Sequence, residues 1–223
     1  YTGNNIQAYF KNCFIDGNTD YIFGGGDVLF DACELSYYGY SNTQKGAYIT
    51  AAADGSTTGY IFRNCYVSAN DAWDVAAGYF GRPWRSSATV AFLNTKLQTK
   101  DTVTAVGWNS MSGARPEDAN YQEYNTTVLG SGAADVSART AGTVKNENPY
   151  ADIVQTFKGW QPFYFVQETD TAVTVKDIAI EGELKTGSVL KALYTLSGNE
   201  EADASVLEWY RITPSGKMEI RKH

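Results

Sequence analysis

Histidine is almost missing from this chain: the only one is His223, the last residue. Chain ends are where side chains are least fixed, and a single terminal imidazole supplies neither a Ser-His-Asp or Cys-His nucleophile system nor a His-based metal site. Cysteine is scarce as well. Cys13, Cys33 and Cys65 form no C-x-x-C pair. An odd, widely spaced set argues against zinc and against a disulfide scaffold, and leaves buried small hydrophobes as their role. No run of about 18 apolar residues occurs, so no membrane-spanning helix is expected. Basic residues are outnumbered throughout: 11 against 15 acidic over 1–167, a charge of -4, and 7 against 10 over 168–223, a charge of -3. That balance speaks against binding a nucleic-acid backbone. The chain opens on Tyr1-Thr2-Gly3 with neither Met nor a signal peptide, as expected of a fragment or a processed piece.

What the chain has instead is aromatic and β-branched texture. Aromatics make up 14% of its 223 residues, with 16 Tyr, while charged residues are only 19%. This favours sheet surfaces and a carbohydrate-facing cleft over a helical bundle. A repeat runs through the first hundred residues: Tyr9-Phe10-Lys11-Asn12-Cys13-Phe14-Ile15, Leu29 to Leu35, Ile61 to Val67 and Ala91 to Leu97. Each has Phe, a small residue three positions on, and an aliphatic two further. Three is an odd step, so a flat strand would send Phe and Cys to opposite faces. A bend at Asn12, Ala32, Asn64 and Asn94 would turn both inward. Spacings of 20, 32 and 30 residues between the Phe positions suit the coils of a right-handed parallel β-helix with loops of varying length. The competing architecture is an antiparallel sandwich with chance similarity. From about Gly107 the repeats are expected to fade, and Ser131 to Asn148 reads as a surface excursion. Residues 168–223 change texture to short alternating runs separated by turns, the pattern of a second, partial β-sandwich-like unit.

The chemistry concentrates at Gly17-Asn18-Thr19-Asp20-Tyr21-Ile22-Phe23-Gly24-Gly25-Gly26. One carboxylate stands against an apolar run, followed by glycines that permit a tight turn. The glycines lack the Lys and Ser/Thr of a phosphate-binding loop. Arg82, in Gly81-Arg82-Pro83-Trp84, is the candidate cation, since arginine clamps a carboxylate with two hydrogen bonds. Taken singly, these are a capped strand end and a loop arginine. Together they permit an Asp nucleophile that attacks an ester carbonyl, provided a second acid protonates the leaving alcohol and donors hold the oxyanion.

Gly17 to Gly24 and Tyr79-Phe80-Gly81-Arg82-Pro83-Trp84-Arg85 resemble two motifs of the pectin methylesterases, carbohydrate esterases of family eight. Gly107-Trp108, Tyr121 to Asn125 and Phe157 to Trp160 follow in family order. The resemblance covers roughly 1–165 and is most like the bacterial branch. It implies that Asp20 is the nucleophile on the methyl ester of galacturonate, that Arg82 orients it, and that Trp84, with Tyr21 and Trp108, lines the sugar cleft. It calls for no cofactor and no metal, and implies a secreted or cell-surface enzyme acting on pectin. The family pattern also requires an upstream Gln and a Gln-Asp pair just before a Tyr like Tyr1, where this chain begins, so little turnover is expected of this chain alone. Asp16 and Asp27 are not positional equivalents of that acid. The run Gly187 to Tyr194 with Glu208-Trp209-Tyr210 resembles immunoglobulin-like modules of bacterial surface proteins and implies cell-surface association. Two other functions stay open: a non-catalytic polysaccharide-binding or adhesive solenoid, and a calcium-dependent lyase, which would need a tighter group of Asp than Asp16, Asp20, Asp27 and Asp31 provide.

Overall fold

The computed structural model describes residues 1–39, 47–70, 77–160, 174–183, 185, 191–197, 210–212 and 218–220. It separates into one unit of Tyr1–Trp160 with Tyr210–His223 and another of Gln161–Trp209.

The first unit winds as a parallel β-solenoid. Its first coil carries β1 (Gln7–Lys11), β2 (Phe14–Gly17) and β3 (Thr19–Gly24). The second carries β4 (Asp27–Asp31), β5 (Glu34–Tyr37) and β6 (Tyr48–Ala52), and the third β7 (Tyr60–Arg63), β8 (Tyr66–Ala69) and β9 (Tyr79–Gly81). Two further turns contribute β10 (Thr89–Leu93) with β11 (Lys96–Leu97), then β12 (Asn120–Tyr124) with β13 (Thr127–Val128). The short β14 (Gly132–Ala133) folds back antiparallel on β13. Equivalent strands stack into three sheets, β1-β4-β7-β10-β12, β2-β5-β8-β11-β13 and β3-β6-β9.

Like residues stack on like. Phe10, Phe30, Phe62 and Phe92 are in register, with ring centroids 5.1, 4.5 and 4.3 Å apart and planes within 9° of parallel. The bend expected after each Phe strand is present. Asn12, Ala32, Asn64, Asn94 and Asn125 all have φ between 52° and 57°, the left-handed conformation that turns the chain sharply while keeping both flanking side chains inside. Asparagine tolerates that conformation, and its amide also links the coils: Asn94 Nδ2 donates to Asn64 Oδ1 at 3.2 Å, and Asn125 Nδ2 to Asn94 Oδ1 at 2.9 Å.

The repeat does not fade at Gly107. Tyr121 to Val128 is a fifth copy in strict register, with Glu123 in the phenylalanine slot beside Phe92. Glu123 is 1% exposed and pairs with Arg139, whose side chain is 4% exposed. Thr126 Oγ1 donates to the same carboxylate at 2.6 Å. Arg139 Nη1 also donates to the carbonyls of Thr104 and Ala105 at 2.8 and 3.0 Å. The 131–148 stretch is therefore an excursion with a buried anchor.

The cysteines stack inside the coils but unequally. Cys33 and Cys65 are buried and Cys13 only half-buried. Cys33 and Cys65 thiols reach the carbonyls of Phe10 and Phe30 in the preceding coil. Its hydrogen bond with Cys33 and its burial push the Cys65 thiol up, keeping it neutral.

The second unit contains β15 (Thr174–Glu181), paired antiparallel with β16 (Lys191–Ser197). Separately, β17 (Tyr210–Ile212) pairs antiparallel with β18 (Met218–Ile220). The expected runs at Val189-Leu190 and Val206 to Trp209, and His223, lie outside the described residues.

Two outcomes follow. Ala32 is the one bend in the series without an amide side chain, and it is exposed. Ala32→Asn relieves the left-handed strain and is expected to raise stability by about 1 kcal/mol in denaturant unfolding; a neutral or negative change would contradict the strain assignment. In native thiol labelling, Cys13 should react first, with Cys33 and Cys65 protected until denaturant is added, whereas three equally fast thiols would refute the stack.

Candidate active site

The third sheet, β3-β6-β9, carries the candidate residues. Its strands place Thr19, Tyr48 and Tyr79 in one row. Immediately after Thr19 the β3–β6 register shifts, and Asp20 occupies the irregularity with φ 53°. A left-handed aspartate inside a strand is strained backbone, and such strain concentrates where a side chain must be aimed rather than merely packed. The shift lets the Asp20 carboxylate leave the ladder and meet Arg82, 62 residues away. Arg82 Nε donates to Oδ1 at 2.9 Å and Nη2 to Oδ2 at 2.7 Å. This two-pronged ion pair is partly shielded, with side chains 23% and 17% exposed.

Arg82 reaches that position because β9 lies close against β6. A Cβ on Gly81 would fall 1.9 Å from Thr50 Oγ1, so only glycine admits the approach. Thr50 Oγ1 donates to Phe80 O at 2.9 Å, and the Arg82 amide donates to Thr50 O at 3.0 Å. At the other end of β3, Gly24 has φ 111°, where a Cβ would strike the Thr2 carbonyl oxygen at 2.1 Å. This glycine makes the turn that the sequence led us to expect beside the acid.

Trp84, two residues beyond Arg82, is half-buried. Its ring lies 6.3 Å from that of Phe23, which in turn lies 5.2 Å from Tyr1. The Arg85 guanidinium sits 5.1 Å over the Trp84 ring. Tyr1, Asn4, Gly25, Ala53, Asp54, Trp84 and Arg85 line a shallow pocket of about 170 Å³. Asp27 is not part of it. Its Oδ1 accepts from the amides of Thr57, Thr58 and Gly59 at 2.9, 2.6 and 2.9 Å, which pins the loop between β6 and β7. Asp31 is likewise occupied, by Arg63 and Tyr9, and Asp16 is exposed on β2.

Two expected cleft residues are placed elsewhere. Trp108 is 2% exposed and packs among Phe80, Phe92 and Tyr121 at 4.4 to 5.9 Å; it is a core residue, because the bridge to Gly81 directs it into the solenoid. Tyr21 packs against the core with its hydroxyl buried. Burial first, then Tyr37 and Asp16, push that hydroxyl well up from the ordinary tyrosine range, so it stays protonated inside the wall.

Of three further residues near the pair, Tyr48 and Asn109 were not singled out from the sequence, and Tyr121 only as the start of the stretch to Asn125. Tyr48 lies with its ring centroid 4.1 Å from Arg82 Cζ, and Asn109 Nδ2 donates to its hydroxyl at 3.0 Å. Tyr121 is buried on the inner side, where burial first and the Asp20 charge second push its hydroxyl well up. No spacing rule links these positions, because loops of unequal length separate them.

The family model Pectinesterase matches residues 1–154. The chain belongs to the pectinesterase family. It is 38% identical over 138 residues to the "Probable pectinesterase A" of Neosartorya fischeri, a match covering 60% of this chain and 38% of the relative. The solved pectin methylesterase of Aspergillus niger in deglycosylated form superposes with a TM-score of 0.54 at 30% identity, covering 69% of this chain and 47% of that one. The pectin methylesterase PemA of Erwinia chrysanthemi shares the fold, with a TM-score of 0.55 at 23% identity over 72% of this chain and 52% of that one. The chain thus spans under half the length of the curated relatives it matches.

Backbone strain at Asp20 is separable from its charge. Asp20→Asn and Asp20→Ala both remove the carboxylate, but asparagine accepts the left-handed conformation. The alanine variant should be less stable than the asparagine variant by about 1 kcal/mol in denaturant melts. Equal stabilities would mean that the strand relaxes and the strain is not held.

Proposed function

We propose that this chain carries the nucleophile and its arginine clamp of a pectin methylesterase. The observation that carries the proposal is the bidentate Asp20–Arg82 pair at the β3-β6-β9 sheet, with Trp84 two residues beyond the arginine. An Asp nucleophile must present one oxygen lone pair toward an ester carbonyl, and a two-pronged guanidinium fixes the carboxylate plane in a way a single ammonium does not. Asp20 attacks the carbonyl carbon of the galacturonate methyl ester, the methoxide leaves as methanol on protonation, and water hydrolyses the acyl-enzyme to return the free carboxylate. Trp84 and Phe23 offer apolar faces suited to sugar rings. The similarity to pectinesterases, and to a solved pectin methylesterase in complex with a hexasaccharide, supports pectin as the polymer bound here. The bacterial affinity, the secreted or cell-surface location and an immunoglobulin-like module over 168–223 belong to the same proposal. For the module, the antiparallel β15–β16 pair is the support. Among the described residues no helix is long and apolar enough to cross a membrane.

The test is methanol release from highly methylated pectin, with this chain compared with one extended upstream. Turnover is expected in the extended form, and Arg82→Ala there should lower it at least 100-fold, on the order of what loss of an oriented electrostatic group costs, with the thermal transition retained. Wild-type turnover in that variant would remove Arg82 from the mechanism. Retention of pectin by both chains with no methanol from either would instead make this a binding solenoid.

A further inference from the structure

We propose that Tyr48 is the positioning residue for the Arg82–Asp20 pair, and that Asn109 sets its ring. The inference rests on the esterase reading for its catalytic consequence, but its geometry stands apart from it. A bidentate carboxylate holds a guanidinium within one plane and does little against swinging out of it. The missing restraint has to come from a face, and the Tyr48 ring supplies it at 4.1 Å from Arg82 Cζ, well inside cation–π range.

The ring is itself held. Tyr79, the next residue along the same row, stacks on it at 5.0 Å and 12°. Its hydroxyl accepts from Asn109 Nδ2 at 3.0 Å. The Asn109 amide, in turn, donates to Gly81 O at 3.1 Å, on the residue preceding Arg82. The contacts therefore close a circuit: Gly81 to Asn109, Asn109 to the Tyr48 hydroxyl, the Tyr48 ring to the guanidinium, and Arg82 back to Gly81 through the chain. A shift of the arginine strand carries Asn109 and the tyrosine hydroxyl with it, so ring and guanidinium move together rather than apart. A merely structural tyrosine needs the stacking on Tyr79 but not this tie.

Two measurements decide it, each on Tyr48→Leu and Tyr48→Phe, the latter keeping the ring if the former folds poorly. In the full chain, the Nε–H resonance of Arg82, identified by its loss in Arg82→Lys, is followed by nitrogen–proton NMR. Tyr48→Leu should remove its ring-current shift and speed its exchange with water several-fold; Tyr48→Phe, which keeps the ring but loses the tie to Asn109, should retain a ring-current shift while speeding exchange by a smaller factor, wild-type exchange there removing Asn109 from the proposal, and the paired Arg63 and Arg139 signals should stay in place as controls. An Arg82 signal unmoved by Tyr48→Leu overturns the proposal. In the upstream-extended chain, Tyr48→Leu should lower kcat roughly 3- to 30-fold at near-constant KM, with the rate only partly restored in Tyr48→Phe, which returns the ring without its tie to Asn109. A raised KM with unchanged kcat would assign Tyr48 to substrate contact and overturn the positioning role. An Arg82 signal that depends on Tyr48 in a protein whose wild type releases no methanol upholds the clamp and refutes the esterase reading.

Discussion

Everything in the solenoid depends on how each coil closes. A single residue in the left-handed conformation follows every strand of the first sheet, at Asn12, Ala32, Asn64, Asn94 and Asn125. It converts an odd spacing, which would put two apolar side chains on opposite faces, into a corner with both inside. Because the corner is the same in every coil, the coils superpose, and parallel register follows from the stacking of Phe on Phe and of Ile15, Leu35, Val67, Leu97 and Val128 on one another. A parallel sheet has no hairpin turns to set its register. Here the side-chain stacks set it, and the exposed asparagine amides add a ladder along the corner.

The same register determines the site. Asp20, Tyr48 and Arg82 come from three successive coils, and they meet because Thr19, Tyr48 and Tyr79 share one row. A slip of one residue in the second coil would move Tyr48 to the opposite face of the sheet and withdraw the ring from Arg82. The core that fixes the coils and the ion pair on the lateral face are thus parts of one mechanical problem. The Glu123–Arg139 pair extends it past the fourth coil. With both side chains nearly fully buried, it closes the phenylalanine stack with a charge-assisted contact. The arginine also fastens Thr104 and Ala105, next to the segment whose Gly107 carbonyl accepts from Phe80 N.

How much of this was legible depended on whether the physics was local. The Phe-small-aliphatic pattern and the need for a bend were readable, because both are consequences of side-chain alternation over seven residues. Asp20 and Arg82 were readable because each sits in a glycine-bounded motif whose chemistry is unusual. Glu123 was not, since a carboxylate in an apolar slot breaks the pattern unless its partner is known, and Arg139 lies in a stretch rich in Gly, Ala, Ser and Thr. Trp108 was misplaced for a related reason: a Gly-Trp pair does not say which face the indole takes, and the bridge to Gly81 decides it. Tyr48 escaped notice because its contact with Arg82 exists only after the loops preceding β6 and β9 have been closed.

Strain and restraint at the pair have a common logic. Asp20 is held in a conformation that costs stability, and β9 is drawn so near β6 that Gly81 cannot carry a side chain. Neither feature improves packing; an ordinary ladder residue at position 20 would satisfy the backbone better. What they accomplish is to bring a carboxylate and a guanidinium from different coils into one plane at the surface. There water would otherwise screen them and side-chain entropy would favour separation. A partly solvated ion pair of this kind contributes modestly on its own, so its persistence has to be supplied by neighbours that are themselves anchored. Tyr48, tied through Asn109 to the strand that bears the arginine, meets that requirement. A lysine at position 82 could match the charge but could neither grip both carboxylate oxygens in one plane nor lie flat on the ring, which is why the geometry calls for arginine there.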